Sequence, residues 1–182
     1  MGMLLAFAPF IAFAVVERLA SPTEGLVAGA LVATCLLLRD LIRGRTAKVL
    51  EVGTAILFAG LNLYALLTRP AWSVIGVRLV VDAGLLLIVL ASMAMRRPFT
   101  LQYAREQVAP ELWDSPAFVR TNYVITAAWG LAFAVMVVAE LALLTVPSMP
   151  PRLGIAAIIL ALVGAVKFTD WYPGRVKART TV

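Results

Sequence analysis

Arg78 and Asp82 stand four residues apart inside an otherwise apolar run, a spacing that puts a guanidinium and a carboxylate on one face of a helix. Charged groups in such a run cost about 2.5–3.5 kcal/mol each at mid-helix on insertion scales, so each one marks a structural or functional need. Counted from the ends of their own runs, Asn62 and Glu140 fall at the same depth. In this intramembrane polar cluster Arg78 can be neutralised by Asp82, by Glu140 or by both, with Asn62 as a hydrogen-bond partner. Three readings stay open. The cluster can fix helix register without chemistry. It can line an outward-facing polar pocket, with Arg78 as the fixed charge for an anion or small polar solute. Or Arg78 can snorkel to the interface on its long stem.

The residues that are missing narrow the chemistry further. The chain has no histidine, which removes bis-histidine haem ligation, the commonest transition-metal ligand and the usual general base near neutral pH. Cys35 is the only cysteine, so an intramolecular disulfide, an iron–sulfur cluster and a structural zinc site are excluded. No glycine-rich phosphate loop follows a strand, and no nucleophile elbow is present. The expectation is a non-catalytic protein without cofactor or metal. The other polar residues read as boundary groups: Glu51 at a helix start, Lys167 and Asp170 three apart near the end of the last run. Trp129, near the middle of the fifth run, reads as a packing residue.

Six apolar runs must position these side chains, near residues 3–19, 22–38, 48–68, 72–95, 116–144 and 151–170. With 62% hydrophobic residues and a mean hydropathy of +0.95, the chain is far more apolar than a soluble domain at roughly 45–50%. A span needs about 20 apolar residues, so six spans and their loops occupy the whole length. The expected fold is all-α: one polytopic membrane domain over residues 1–182, a bundle of six transmembrane helices. Of 16 basic residues, Arg39, Arg43, Arg45, Lys48, Arg96, Arg97, Arg105, Arg120, Lys167, Arg175, Lys177 and Arg179 fall on one side of such a bundle. Only Arg18, Arg69 and Arg152 fall on the other, and Arg78 lies within a span. Basic loops stay cytoplasmic during insertion, so both termini are expected on the cytoplasmic side. The net charge of +6 flanks spans and faces anionic lipid, which argues against a nucleic-acid partner.

Local signals set the helix ends. Ser21-Pro22-Thr23-Glu24 offers an N-cap, an N1 proline and a capping-box glutamate, so the second helix should start at Pro22 after a tight turn through Glu17 to Ser21. Gly25 and Gly29 make a small-xxx-small face, read here as ordinary intramolecular packing. Pro9 should bend the first helix. Pro70 ends the third helix, with Trp72 at belt depth, while Trp171 and Tyr172 anchor the end of the last span before Pro173-Gly174. Asp114-Ser115-Pro116 starts the fifth. The stretch from Arg96 to Pro116 mixes Phe99, Leu101, Tyr103, Val108, Leu112 and Trp113 with charges, and is expected to lie flat as a short interfacial segment.

Met3 to Val16 with Pro9, the basic loop from Arg39 to Lys48, Arg96-Arg97-Pro98 opening a loop, then Glu106, Trp113, Asn122 and Trp129 leading into an aromatic and alanine-rich span, together resemble the intracellular septation protein A family of bacterial inner-membrane-spanning proteins. The similarity covers most of the chain in hydropathy, with its specific residues between Arg96 and Phe133. It implies participation in cell-envelope synthesis and cell division through contacts with other membrane proteins or lipid, and it implies no reaction. Under it, Arg97, Pro98, Glu106, Trp113 and Asn122 form an inner face presented to partners. Two other classes stay open: a small-solute or ion transporter or channel built around Arg78, whose three-and-three halves would be inverted repeats, and an accessory subunit of a larger membrane complex.

Overall fold

The computed structural model describes residues 3–180, with side chains through 176, so Lys177 and Arg179 of the basic tail lie outside the described side chains. Every regular element among the described residues is helical: α1 (Ala8–Leu19), α2 (Pro22–Ile42), α3 (Val49–Thr68), α4 (Val74–Ala94), α5 (Phe99–Ala104), α6 (Pro116–Thr145) and α7 (Pro151–Thr180). Five of them, α2, α3, α4, α6 and α7, are long and apolar enough to cross a membrane, which makes the chain a multi-pass membrane protein. Large apolar side chains such as Leu31, Ile56, Leu66, Leu131 and Leu160 stay more than 60% exposed. In a bilayer that surface meets lipid tails as apolar as itself, so specific helix packing must come from close fit and polar contacts.

The first apolar run is built differently from the other five. Met3–Phe7 forms a 3₁₀ segment, and the α-helix begins only at Ala8. Pro9 therefore sits in the first turn of α1, where its missing N–H has no intrahelical acceptor to lose, and the expected mid-helix bend becomes a change of helix type. The predicted proline starts are found at Pro22 and Pro116, and α7 likewise begins on a proline, Pro151. Ser21 caps α2 through its hydroxyl to Glu24 N–H at 3.3 Å, and Ser115 caps α6 through Phe118 N–H at 3.4 Å. At the other end of the chain, α7 runs on through Pro173 instead of stopping there.

Two helix ends share one stop. After α2 the N–H of Arg45 reaches the Asp40 carbonyl at 2.9 Å, and Gly44 adopts φ +65°. After α4 the N–H of Arg97 reaches the Ser92 carbonyl at 2.9 Å, and Arg96 adopts φ +58°. Both are six-to-one closures over a left-handed residue. Glycine makes that conformation freely, whereas an arginine there costs roughly 1–2 kcal/mol. A simpler left-handed stop ends α3 at Arg69, φ +45°.

Two compact units divide the chain, residues 1–88 and 89–182. In the first, α2 is the centre: α1 and α3 both pack on it antiparallel, because each joins it through a short connection. The glycines predicted to allow close approach do so within the chain. A Cβ on Gly25 would lie 2.7 Å from the Glu17 Cβ, and one on Gly29 would lie 2.4 Å from the Phe58 ring. Phe58 is fully buried on that glycine, its ring centroid 5.4 Å from Phe10 and 5.9 Å from Phe13. Leu26, Ala65, Val77 and Val81 complete the core, with Trp72 packed against it. In the second unit α6 packs on α7 along its length and receives the short α5.

Gly29→Ala should destabilise the protein by about 1–3 kcal/mol, the usual cost of forcing extra volume into a packed core. Thermal melting in detergent measures it, and a melting temperature equal to the parent's would mean that Phe58 does not rest on this position.

Candidate functional site

Glu17 is the residue that the local pattern hides. It lies two residues from the end of α1, its side chain has no exposure at all, and its carboxylate takes Arg78 side-on. Arg78 Nε stands 3.1 and 2.9 Å from the two Glu17 oxygens, and an outer guanidinium nitrogen stands 2.8 Å from Oε1. The pair joins α1 to α4 across 61 residues of sequence. Gly25 makes it fit, since the backbone of α2 passes against Glu17 with no room for a side chain. Arg78 keeps about a third of its surface exposed while Glu17 keeps none, so the carboxylate is the member that depends on its partner for solvation.

Asn62, predicted to belong to this cluster, bridges two helices instead of meeting a charge through its amide nitrogen. Its Nδ2 donates to the Leu26 carbonyl of α2 at 2.9 Å and to the Phe58 carbonyl of its own helix at 2.8 Å. Asp82 lies half-buried one turn along α4 from Arg78. Glu140 is buried in α6, five residues before its end.

A second buried ionic group occupies the opposite end of the α2–α3 pair. Asp40, its side chain 1% exposed, takes Arg39 Nε at 3.0 Å and Lys48 Nζ at 3.6 Å, and Lys48 also approaches Glu51 at 3.4 Å. The Lys48 N–H donates to the Glu51 carboxylate at 3.3 Å, so Glu51 serves both the helix start and the cluster. Sequence reasoning passed over Asp40. The available signal was its isolation as the one acid among Arg39, Arg43, Arg45 and Lys48. Opposed pairs Asp40–Lys48, Gly29–Phe58 and Leu26–Asn62 show one antiparallel register held at both ends by polar contacts and in the middle by an aromatic ring.

The stretch after α4, expected to lie flat, is partly internal. Phe99, Thr100, Leu101 and Tyr103 of α5 are all buried, and Pro98 at its cap is buried as well. The Ser92 hydroxyl accepts the Phe99 N–H at 3.2 Å and donates to the Val89 carbonyl at 2.7 Å. The Thr100 hydroxyl has a single hydrogen and donates it to the Asn122 carbonyl at 2.9 Å, so across the 2.7 Å contact the Thr126 hydroxyl is the donor. Asn122, placed by the sequence on a surface for partners, is 4% exposed and donates to Phe118 O at 2.9 Å. Trp129 is buried too, its indole N–H on the Thr169 hydroxyl at 2.9 Å, which ties α6 to α7.

No protein-family model, curated protein or solved structure matches this chain.

Past α5 the predicted residues separate. Arg97 and Glu106 are exposed. Trp113 is half-buried and held: its indole N–H points at the carbonyls of Arg105 and Val108, at 3.1 and 3.3 Å, and the Arg105 guanidinium lies 5.5 Å over its ring. Arg105 also reaches Asp114 at 3.2 Å. The structure thus divides the predicted residues into buried supports, Pro98 and Asn122, the half-buried Trp113, and the exposed Arg97 and Glu106.

Removing one member of the Glu17–Arg78 pair should be far worse than removing both. Arg78→Ala leaves the buried Glu17 carboxylate without its counter-charge and should cost about 3–5 kcal/mol, and Glu17→Ala in the same chain should restore much of that loss. A double-mutant cycle of melting temperatures in detergent checks it. Additive single effects would show that the two side chains are not coupled.

Proposed function

We propose that this protein is a six-span, non-catalytic component of the bacterial inner membrane, acting in cell-envelope synthesis and division through contacts of its cytoplasmic face with other membrane proteins or lipid. The observation that carries this reading is the folded state of the stretch from Arg96 to Ser115. Pro98 to Tyr103 anchor it inside the protein, and Trp113 and Arg105 brace its far half, so Arg97, Glu106, Glu111 and Leu112 stand exposed on a fixed base. A connector between two spans needs none of this. Preorganised exposed groups are what a binding face requires. The resemblance to the septation family rests on the same stretch and supports the same role.

The sixth span is the first apolar run. A 3₁₀ segment of five residues rises about 10 Å and a 12-residue α-helix about 18 Å. Together they approach the roughly 30 Å of hydrocarbon in a bilayer. Packing of α1 along α2 and the Glu17–Arg78 pair support a membrane-embedded place for it. With six spans the basic loops, including Arg43, Arg45, Arg96 and Arg97, face the cytoplasm together with both termini. The half of the loop from Arg105 to Ser115 then lies at the headgroup boundary, its Leu112 toward the acyl chains.

Single cysteines at Met3, Ser148 and Thr180 in a Cys35→Ser chain test the topology. An impermeant thiol reagent on intact cells should label Ser148→Cys alone. Labelling of Met3→Cys without Thr180→Cys would establish five spans. Function is tested separately. A Trp113→Ala, Arg105→Ala chain should lose cross-linked membrane partners, or the growth and division phenotype that depends on them, while its melting temperature stays within a few degrees of the parent's. The Glu17→Ala, Arg78→Ala chain should retain both. The reverse pattern would put function at the membrane-embedded pair and favour transport.

A further inference from the structure

Arg96 adopts a backbone conformation that its side chain opposes. At the equivalent stop after α2 the left-handed residue is Gly44, which has no Cβ to clash; after α4 the same six-to-one closure is made over an arginine at φ +58°. Strained residues of this kind cluster at functional sites. Its side chain is exposed, Arg97 beside it is exposed, and neither guanidinium has a carboxylate or a hydrogen-bond partner among the described residues. Five other cations are committed within the protein: Arg78 to Glu17, Arg39 and Lys48 to Asp40, Arg105 to Asp114, and Arg175 to the Trp171 ring at 4.9 Å. Arg120, four residues into α6, is exposed and unpaired as well.

The surface directly before these arginines has the complementary character. Leu90, Ala91 and Ala94, at the end of α4, and Met95 directly after it are exposed, with Leu90 at 48% and Met95 at 54%. Spacings of three and four put them on one helical face that runs down to Arg96. An apolar strip at acyl-chain depth ending in two free guanidinium groups fits one ligand chemistry, a phosphodiester carried on hydrocarbon tails. Arginine forks match phosphate oxygens in pairs, and the headgroup depth of the cytoplasmic leaflet is where such phosphates lie.

We infer that Arg96 and Arg97 hold the phosphate of an anionic phospholipid whose acyl chains lie along the end of α4. This rests on the reading above that the stretch after α4 is a cytoplasmic contact face, and names lipid as one of its occupants. Arg96 stays an arginine, against the preference of its backbone, because the headgroup needs its side chain.

The full-length protein, delipidated in detergent, tests this by thermal melting with added phosphatidylglycerol, with phosphatidylcholine, and with inorganic phosphate alone. Phosphatidylglycerol should raise the melting temperature by roughly 4 °C or more, the scale of a ligand present well above its Kd on a chain of this size. The other two should leave it unchanged. Arg96→Gly should melt at or above the lipid-free parent, because the backbone is relieved, and should lose most of the phosphatidylglycerol shift; Arg97→Ala should lose it too. Arg69→Gly, which relieves the same backbone conformation at the end of α3, should keep the whole shift. Equal shifts with both lipids, or a full shift retained by Arg96→Gly with Arg97→Ala, would overturn the proposal. Such a failure leaves the contact reading standing if Trp113→Ala, Arg105→Ala still loses its protein partners; absence of a phosphatidylglycerol-specific shift in the parent together with unchanged partners in that chain would sink both.

Discussion

A carboxylate with no exposed surface must have its counter-charge supplied by the protein, and Glu17 meets that condition only where Arg78 lies. The arrangement of the first unit follows from it. α1 is short and begins with a 3₁₀ segment, so it has little length over which to accumulate apolar contacts. In lipid those contacts would discriminate poorly between neighbours in any case. The ion pair fixes which part of α1 meets α4, and the glycine at position 25 lets α2 pass closely enough for the carboxylate to be sealed from water. Glu17, Gly25 and Arg78 thus act as one device drawn from three helices.

The same logic, reversed, operates at the other end of α2. There the buried acid is Asp40, and Arg39 and Lys48 come to it from one helix end and the next helix start. Between the two ionic groups the packing is aromatic on glycine, Phe58 on Gly29. Ion pairs at both ends with a tight apolar middle specify register better than uniform apolar packing would, because a slip of one turn would strand two carboxylates in the interior. That is why polar residues appear in the spans without any continuous polar path being needed to explain them.

Much of this architecture was legible from residues whose local physics dominates. Prolines at positions 22 and 116 start helices because their missing N–H is harmless only there. Runs of about 20 apolar residues give spans because length and hydropathy suffice. The site was legible only in part. Arg78 and Asn62 stood out because they interrupt apolar runs, but Glu17 sits beside Arg18 at the end of a run, where a charged pair reads as a turn. Asp40 was masked by four basic neighbours whose obvious meaning was topology. Phe99, Leu101 and Tyr103 were read as interfacial because an aromatic and polar mixture looks alike whether its apolar side faces lipid or protein; the deciding contacts, to Ser92, Asn122 and Thr126, are tertiary. Pro9 was assigned its usual effect inside a helix because the switch from 3₁₀ to α leaves no mark in composition.

These internal pairings also change what the basic residues mean. Counted along the sequence, arginines and lysines are equal contributors to a charge bias. In the folded chain Arg39, Lys48, Arg78 and Arg105 each face a carboxylate, and their field outside the protein is largely cancelled. In the second unit the exposed, unpaired cations include three where α4 ends and α6 begins, Arg96, Arg97 and Arg120, beside Arg152 and Lys167. A membrane protein that needed positive charge only to orient its insertion could place it anywhere in a loop and leave it mobile. Here the charge sits on a left-handed residue, beside a proline that enters a buried helix, on a base stapled by serine and threonine hydroxyls. Rigidity of that kind is what the proposed contact face would require and what insertion does not, since orientation is already decided while the chain is being inserted.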